Sequence, residues 1–125
     1  NFTFNLISCF PPTFKNRING ARIDLATAFA ELKPGFIRLP GGNDLEGRSI
    51  ATRFIWNHTI GPLEHRPGRK GTWTGYNTEG FGLLELLTFA EDVGATPLLA
   101  VYAGFSLDQA SIPKAQLQPY IDEVI

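Results

Sequence analysis

The sequence is short of most groups that announce a chemistry. It has one cysteine, Cys9, so no internal disulfide can form. Histidine occurs only as His58 and His65, seven apart in a loop-like stretch, and no Cys/His cluster has zinc spacing, so no metal site is expected. Neither sign of charge dominates: 11 Lys plus Arg stand against 12 Asp plus Glu, a net charge of −1. That leaves no basic field for nucleic acid or an anionic membrane, and no acidic tract. No apolar run reaches the ~18 residues of a membrane span; residues 81–90 are interrupted by Glu85. The first residues show no charged-then-apolar leader pattern. No Gly-x-Gly-x-x-Gly follows a strand, which weighs against a dinucleotide fold and leaves no cofactor expected.

What is present has the balance of one globular domain: 125 residues, 43% hydrophobic and 18% charged. Two Asn-x-Thr acceptors, at Asn1 and Asn57, point to a glycosylated, extracellular protein. Residues 2–10 run apolar through Phe2, Phe4, Leu6, Ile7 and Phe10 until Pro11-Pro12, and read as a strand. Asn19-Gly20 marks a turn. Leu25, Ala28, Phe29 and Leu32 then fall on one face of a helix over 23–33, with Asp24 near its positive end and Lys33 near its negative end. Residues 36–39 form a short strand between prolines. Residues 41–78 show little periodicity and read as a long loop, a feature usually functional in a compact domain.

Asn77 or Thr78 can cap a helix over 79–93, whose Leu83, Leu86, Leu87, Ala90 and Val93 make a broad apolar face and which Gly94 stops. Residues 97–101 are continuously apolar, the signature of a strand covered on both faces. Pro119 opens a last helix over 119–125, which stops after two turns with no terminating residue; the chain is therefore expected to be a piece of a longer protein. Strand, helix, strand over 36–101 is a right-handed βαβ crossover. The fold class is α/β, either a doubly wound sheet or the early βα units of a (β/α)8 TIM barrel, which needs about twice this length.

The strongest local constellation is Arg38-Leu39-Pro40-Gly41-Gly42-Asn43, at the carboxyl end of a parallel strand where barrel enzymes place their sites. Arg38 supplies a rigid fork of donors and Asn43 both a donor and an acceptor, a set that suits sugar hydroxyls. The alternative is an arginine paired with a core carboxylate, the glycines serving only the turn. A phosphate cradle on the Gly-Gly-Asn turn is weakened by the absence of a following Lys-Ser or helix.

In the long loop Trp56, Trp73 and Tyr76 lie among Arg48, Arg53, Arg66 and Arg69, a composition fit for a sugar platform. Trp56 reads rather as an anchor of the loop, and Arg66-Pro67-Gly68-Arg69 as a staple. Asp44 and Glu46 could reach a site mouth, yet no carboxylate follows a strand in an Asn-Glu pair, and no serine has a nucleophile context.

The blocks Ile7-Ser8-Cys9-Phe10-Pro11-Pro12-Thr13-Phe14-Lys15-Asn16-Arg17 and Leu32-Lys33-Pro34-Gly35-Phe36-Ile37-Arg38-Leu39-Pro40-Gly41-Gly42-Asn43-Asp44-Leu45-Glu46-Gly47 are similar to family 51 glycoside hydrolases, the α-L-arabinofuranosidases, with the fungal secreted branch nearest. Trp56 to Leu63, Arg66 to Arg69, Gly75 to Glu85 and Val101 to Gly104 continue the likeness over essentially the whole chain. The resemblance implies the amino-terminal part of a (β/α)8 catalytic barrel, the strand over 2–10 belonging either to the barrel or to an accessory β-domain. It implies retaining hydrolysis by two glutamates after the fourth and seventh strands, so no catalytic residue lies in this chain. It makes Arg38 and Asn43 contacts to an arabinofuranose, with Trp73 a wall of the pocket, and Cys9 carries no role. The implied partner is an arabinose-containing polysaccharide or oligosaccharide. The rivals are a non-catalytic carbohydrate-binding module or remnant, and a barrel isomerase or phosphosugar enzyme.

Overall fold

The computed structural model describes residues 2–4, 7, 9–73 and 75–125. Its centre is a two-stranded parallel sheet of β1 (Phe36–Leu39) and β4 (Thr96–Leu99), in register from Phe36 opposite Thr96 to Leu39 opposite Leu99. Two further bonds extend the ladder: the Thr96 amide donates to the Gly35 carbonyl at 3.0 Å and that of Ala100 to the Leu39 carbonyl at 2.6 Å. Between the strands run α2 (Gly42–Glu46), an antiparallel hairpin of β2 (Arg69–Lys70) and β3 (Tyr76–Asn77), and α3 (Leu83–Asp92). α1 (Ile23–Glu31) precedes β1, and its Phe29 lies 5.5 Å from Phe89 of α3, ring centre to ring centre. α4 (Gln118–Asp122) closes the described chain. The arrangement is a mixed α/β unit built on a parallel sheet.

The structure departs from the expected elements at several points, each with a local cause. The strand expected over 2–10 does not occur among the described residues: Phe2, Thr3, Phe4, Ile7, Cys9 and Phe10 are all exposed and pair in no sheet, and Asn5, Leu6 and Ser8 lie outside the described residues. An apolar run makes a strand only where a partner edge receives it, and Pro11-Pro12 offers no amides to extend one. The helix expected over 23–33 ends at Glu31, and Lys33 takes a left-handed φ of 48° ahead of Pro34.

The long loop of 41–78 contains structure of its own. Besides α2 and the hairpin it holds three single 3-10 turns, Ile50–Thr52, Trp56–Thr59 and Leu63–His65, all too short to leave a hydrophobic period. The helix expected from 79 begins at Leu83. Glu79 adopts a φ of 57°, its amide donates to Asn77 Oδ1 at 2.9 Å, and Gly82 packs against Thr59, so the approach to α3 is bent and non-helical. The Glu85 carboxylate then accepts the Gly82 amide at 3.0 Å, and Thr59 Oγ1 accepts that of Leu83 at 2.9 Å, which satisfies the first free amides of the helix.

β4 spans Thr96–Leu99 rather than 97–101, and its four residues are exposed rather than covered, because among the described residues only β1 pairs with it. α4 begins one residue before Pro119, at Gln118, and ends at Asp122 rather than 125. A small core of Leu45, Phe54 and Tyr102, with Trp56, Ala100, Ile112 and Tyr120 against it, sits under the carboxyl end of the sheet. It supports the loops that leave that end.

Candidate functional site

Arg38 is the third residue of β1 and its side chain is exposed. Its Nη1 lies 3.9 Å from the point where a side-chain carbon on Gly42 would stand, so the guanidinium leans over the start of α2. Among the described residues no carboxylate pairs with it. Asn43 is exposed on the first turn of α2. Its carbonyl accepts the hydroxyl of Thr72 at 3.2 Å. Thr72 is buried, its own carbonyl accepting Arg48 Nε at 3.0 Å. This holds the tip of the hairpin beside α2 and brings Trp73, 69% exposed, next to the Asn43 turn. Arg38, Asn43 and Trp73 are thus each exposed, Arg38 leaning over the start of α2 and Trp73 following the Thr72 that bonds the Asn43 carbonyl.

Three other arginines of the long loop, Arg53, Arg66 and Arg69, are enclosed by the fold. Arg66 has only 4% of its side chain exposed. It donates to Glu85 at 2.8 Å, to the Gly61 carbonyl at 2.9 Å, and to the carbonyls of Glu79 and Gly80 at 2.9 and 3.1 Å. Arg69 donates to Asp44 at 2.7 Å and Glu79 at 2.5 Å. The Arg66 to Arg69 stretch is therefore a staple, and Asp44 is engaged by Arg69 rather than presented at the site mouth.

Arg53 lies over the adjoining rings of Tyr102 and Tyr120, 5.1 and 5.0 Å from their centres, and grips Glu123 with two bonds of 2.9 and 2.5 Å. Trp56 donates its indole N–H to the Glu123 carbonyl at 2.7 Å, which makes it an anchor. Thr72, Glu79 and Glu123 were invisible as structural partners in the sequence because each acts on residues far away along the chain. The paired alternation that would flag them does not exist in a loop.

Asn57 is exposed on the Trp56–Thr59 turn, whereas Thr59 of the same acceptor is fully buried and bonded to the Trp56 carbonyl at 2.7 Å. Asn1 lies outside the described residues. Among those described, no group of three His, Cys, Asp or Glu side chains could hold a metal ion.

A cleft of about 420 Å³ lies away from Arg38, between residues 14–21 and α3. Its charges are spent on one another: Asp92 receives Arg17 at 2.8 Å and Lys15 at 3.5 Å. The hydrogen bond from Arg17 holds the Asp92 carboxyl below its usual range. At Glu85 burial pushes the carboxyl up, but bonds from Arg66, Asn19 and backbone amides outweigh it and the net direction is down. Neither acid is poised to donate a proton near neutrality. The geometry of exposed donors favours the Arg38 surface over this cleft as the place for a ligand.

Residues 28–125 match the α-L-arabinofuranosidase 1 domain. The whole chain aligns with the probable α-L-arabinofuranosidase A of Aspergillus flavus at 48% identity, covering 20% of that protein. It aligns with the α-L-arabinofuranosidase A of Aspergillus kawachii at 46%, also covering 20%. Among solved structures, the arabinose-bound MgGH51 α-L-arabinofuranosidase superposes with a TM-score of 0.89 at 56% identity, over 91% of this chain and 18% of that one. The chain belongs to the family 51 α-L-arabinofuranosidases.

A more distant likeness is to the arabinose complex of the Thermotoga maritima α-L-arabinofuranosidase, with a TM-score of 0.60 and 30% identity over 69% of this chain and 17% of that one. The chain spans about a fifth of the length of the curated α-L-arabinofuranosidases it matches.

Proposed function

We propose that this chain supplies the early βα units of the (β/α)8 catalytic barrel of a secreted α-L-arabinofuranosidase, and that its own surface binds the sugar released. Arg38 and Asn43 hydrogen-bond the arabinofuranosyl ring, and Trp73 offers it an apolar wall. The two glutamates of a retaining hydrolysis lie outside these residues: one attacks the anomeric carbon to form a glycosyl-enzyme, and the other protonates the leaving oxygen and then activates water. The substrates are terminal non-reducing α-L-arabinofuranosyl groups on arabinoxylan or arabinan.

The observation that carries the reading is the unpaired, exposed Arg38 beside Asn43 and the Trp73 turn, in a chain 56% identical to an arabinose-bound α-L-arabinofuranosidase. The outer edges of β1 and β4, unpaired among the described residues, support the barrel, whose strands have neighbours on both edges. Positioning is what the chain contributes to catalysis. Bonds from a charged donor that shorten as the ring flattens lower the barrier, not merely the ground state.

Arg38→Ala in the full-length enzyme tests this. A charged hydrogen bond contributes about 1.5–3 kcal/mol, so kcat/KM on an aryl α-L-arabinofuranoside should fall about 10- to 100-fold. Unchanged kcat and KM would remove Arg38 from the site.

A further inference from the structure

We infer that Arg69 is a positioning residue that sets the orientation of Asn43 by clamping α2, an inference that rests on the sugar site proposed above. α2 is only five residues long, has no side-chain cap, and is flanked by Gly41 before it and by Gly47 at a φ of 66° after it. A single helical turn with a flexible residue on either side does not hold its own direction. Its direction is imposed from elsewhere: Leu45 is buried with Phe54 and Tyr102, Ser106 Oγ donates to the Glu46 carbonyl at 2.8 Å, and Arg69 grips the exposed side of the turn through Asp44.

The Arg69 side chain is 9% exposed and reaches from the start of β2 under the loop. Nη2 donates to Asp44 Oδ1 at 2.7 Å, Nη1 to the carbonyls of Thr52 and Asp44 at 3.2 and 3.4 Å, and Nε to Glu79 Oε1 at 2.5 Å. The guanidinium carbon sits 5.8 Å from the centre of the Phe54 ring. One planar fork therefore ties α2 to the Ile50–Thr52 turn and to the bend before α3. Asp44 follows Asn43 directly, and adjacent side chains on a helix diverge by about 100°. Clamping Asp44 thus fixes the angle at which Asn43 faces outward, while the bond from Thr72 to the Asn43 carbonyl fixes its height. Lysine, a point charge on a flexible stem, cannot make these bonds together.

The test is a double-mutant cycle in the full-length enzyme, read as kcat/KM on an aryl α-L-arabinofuranoside, with L-arabinose binding by calorimetry serving the same cycle where turnover is too slow. Arg69→Lys and Asp44→Asn are each made alone and on Asn43→Ala. Each alone should lower kcat/KM about tenfold, since sub-ångström misplacement of a binding group is costly. On Asn43→Ala each should cost less than about twofold, because the group they aim is gone. A purely structural role would show the full loss in both backgrounds, and that additivity, or an unchanged rate for the single variants, overturns the inference. Should Arg69→Lys fail to fold, Asp44→Asn, which keeps the side chain's shape at a partly exposed position, carries the cycle alone. An Asn43→Ala variant with unchanged kcat/KM would instead overturn the sugar-site reading itself.

Discussion

Replacing Arg66 by alanine should destabilise the protein by about 3 kcal/mol, and the figure follows from what the side chain leaves behind. Arg66 is almost fully enclosed and serves one carboxylate and three carbonyls: Glu85, Gly61, Glu79 and Gly80. Breaking a buried ion pair from one side costs about 3–5 kcal/mol, because the remaining charge stays behind. Glu85 would not be bare, since Asn19 Nδ2 and the Gly82 amide still donate to it at 3.0 Å each. That places the loss at the low end of the range. It remains a large part of the ~5–15 kcal/mol that usually holds a domain together.

Arg66→Lys keeps the charge and loses the fork, so it should cost less than half as much. The assay is equilibrium urea unfolding of the full-length protein, with thermal inactivation rates alongside if refolding is incomplete. A loss under about 1 kcal/mol for the alanine variant would refute the claim that Arg66 staples the loop to α3, given the usual scale for such pairs.

Two further outcomes follow from the same neighbourhood. The Glu85 carboxyl is held below its ordinary 4.5, so its contribution is present above that pH and is lost as pH falls through the lowered value; the stability gap between the native protein and Glu85→Gln, measured by urea unfolding from pH 7 downward, should shrink only in acid, and a gap constant with pH would contradict it. Gly82→Ala should cost about 1–3 kcal/mol by overpacking, since the added carbon would lie 2.7 Å from Cβ of the fully buried Thr59 and against its carbonyl. Gly35→Ala, with no heavy atom within 4 Å of the added carbon, is the control and should leave the melting temperature unchanged or slightly raised.

Much of the frame was legible because it is written locally. Phe36 to Leu39 is a short apolar run between prolines, and it is β1; the apolar face from Leu83 to Ala90 repeats at helical spacing, and it is α3, halted by Gly94 at a φ of 73°. Parallel pairing of β1 with β4 follows once a helix intervenes, since only a crossover returns the chain in the same direction. The Arg38 to Asn43 motif was conspicuous for a related reason: a charged residue in an apolar strand and two glycines at its end are oddities within six positions. Residues 2–10 show the limit of the local signal, since their apolar run has no strand edge to join among the described residues.

The interior of the long loop was not legible, and its organisation explains why. Thr72 bonds Asn43 from 29 residues away, and Arg53 grips Glu123 from 70. Such pairs have no period and no fixed spacing, and an arginine destined for a carbonyl looks the same in sequence as one left free for a ligand. By itself the sequence determined the strand, helix, strand order and the motif at the strand's end, because backbone propensity and hydrophobic spacing act within a few residues. Only the tertiary structure decided that Arg53, Arg66 and Arg69 are enclosed while Arg38 meets no carboxylate among the described residues, because enclosure of a charge depends on which distant acids and carbonyls the folded chain brings within reach.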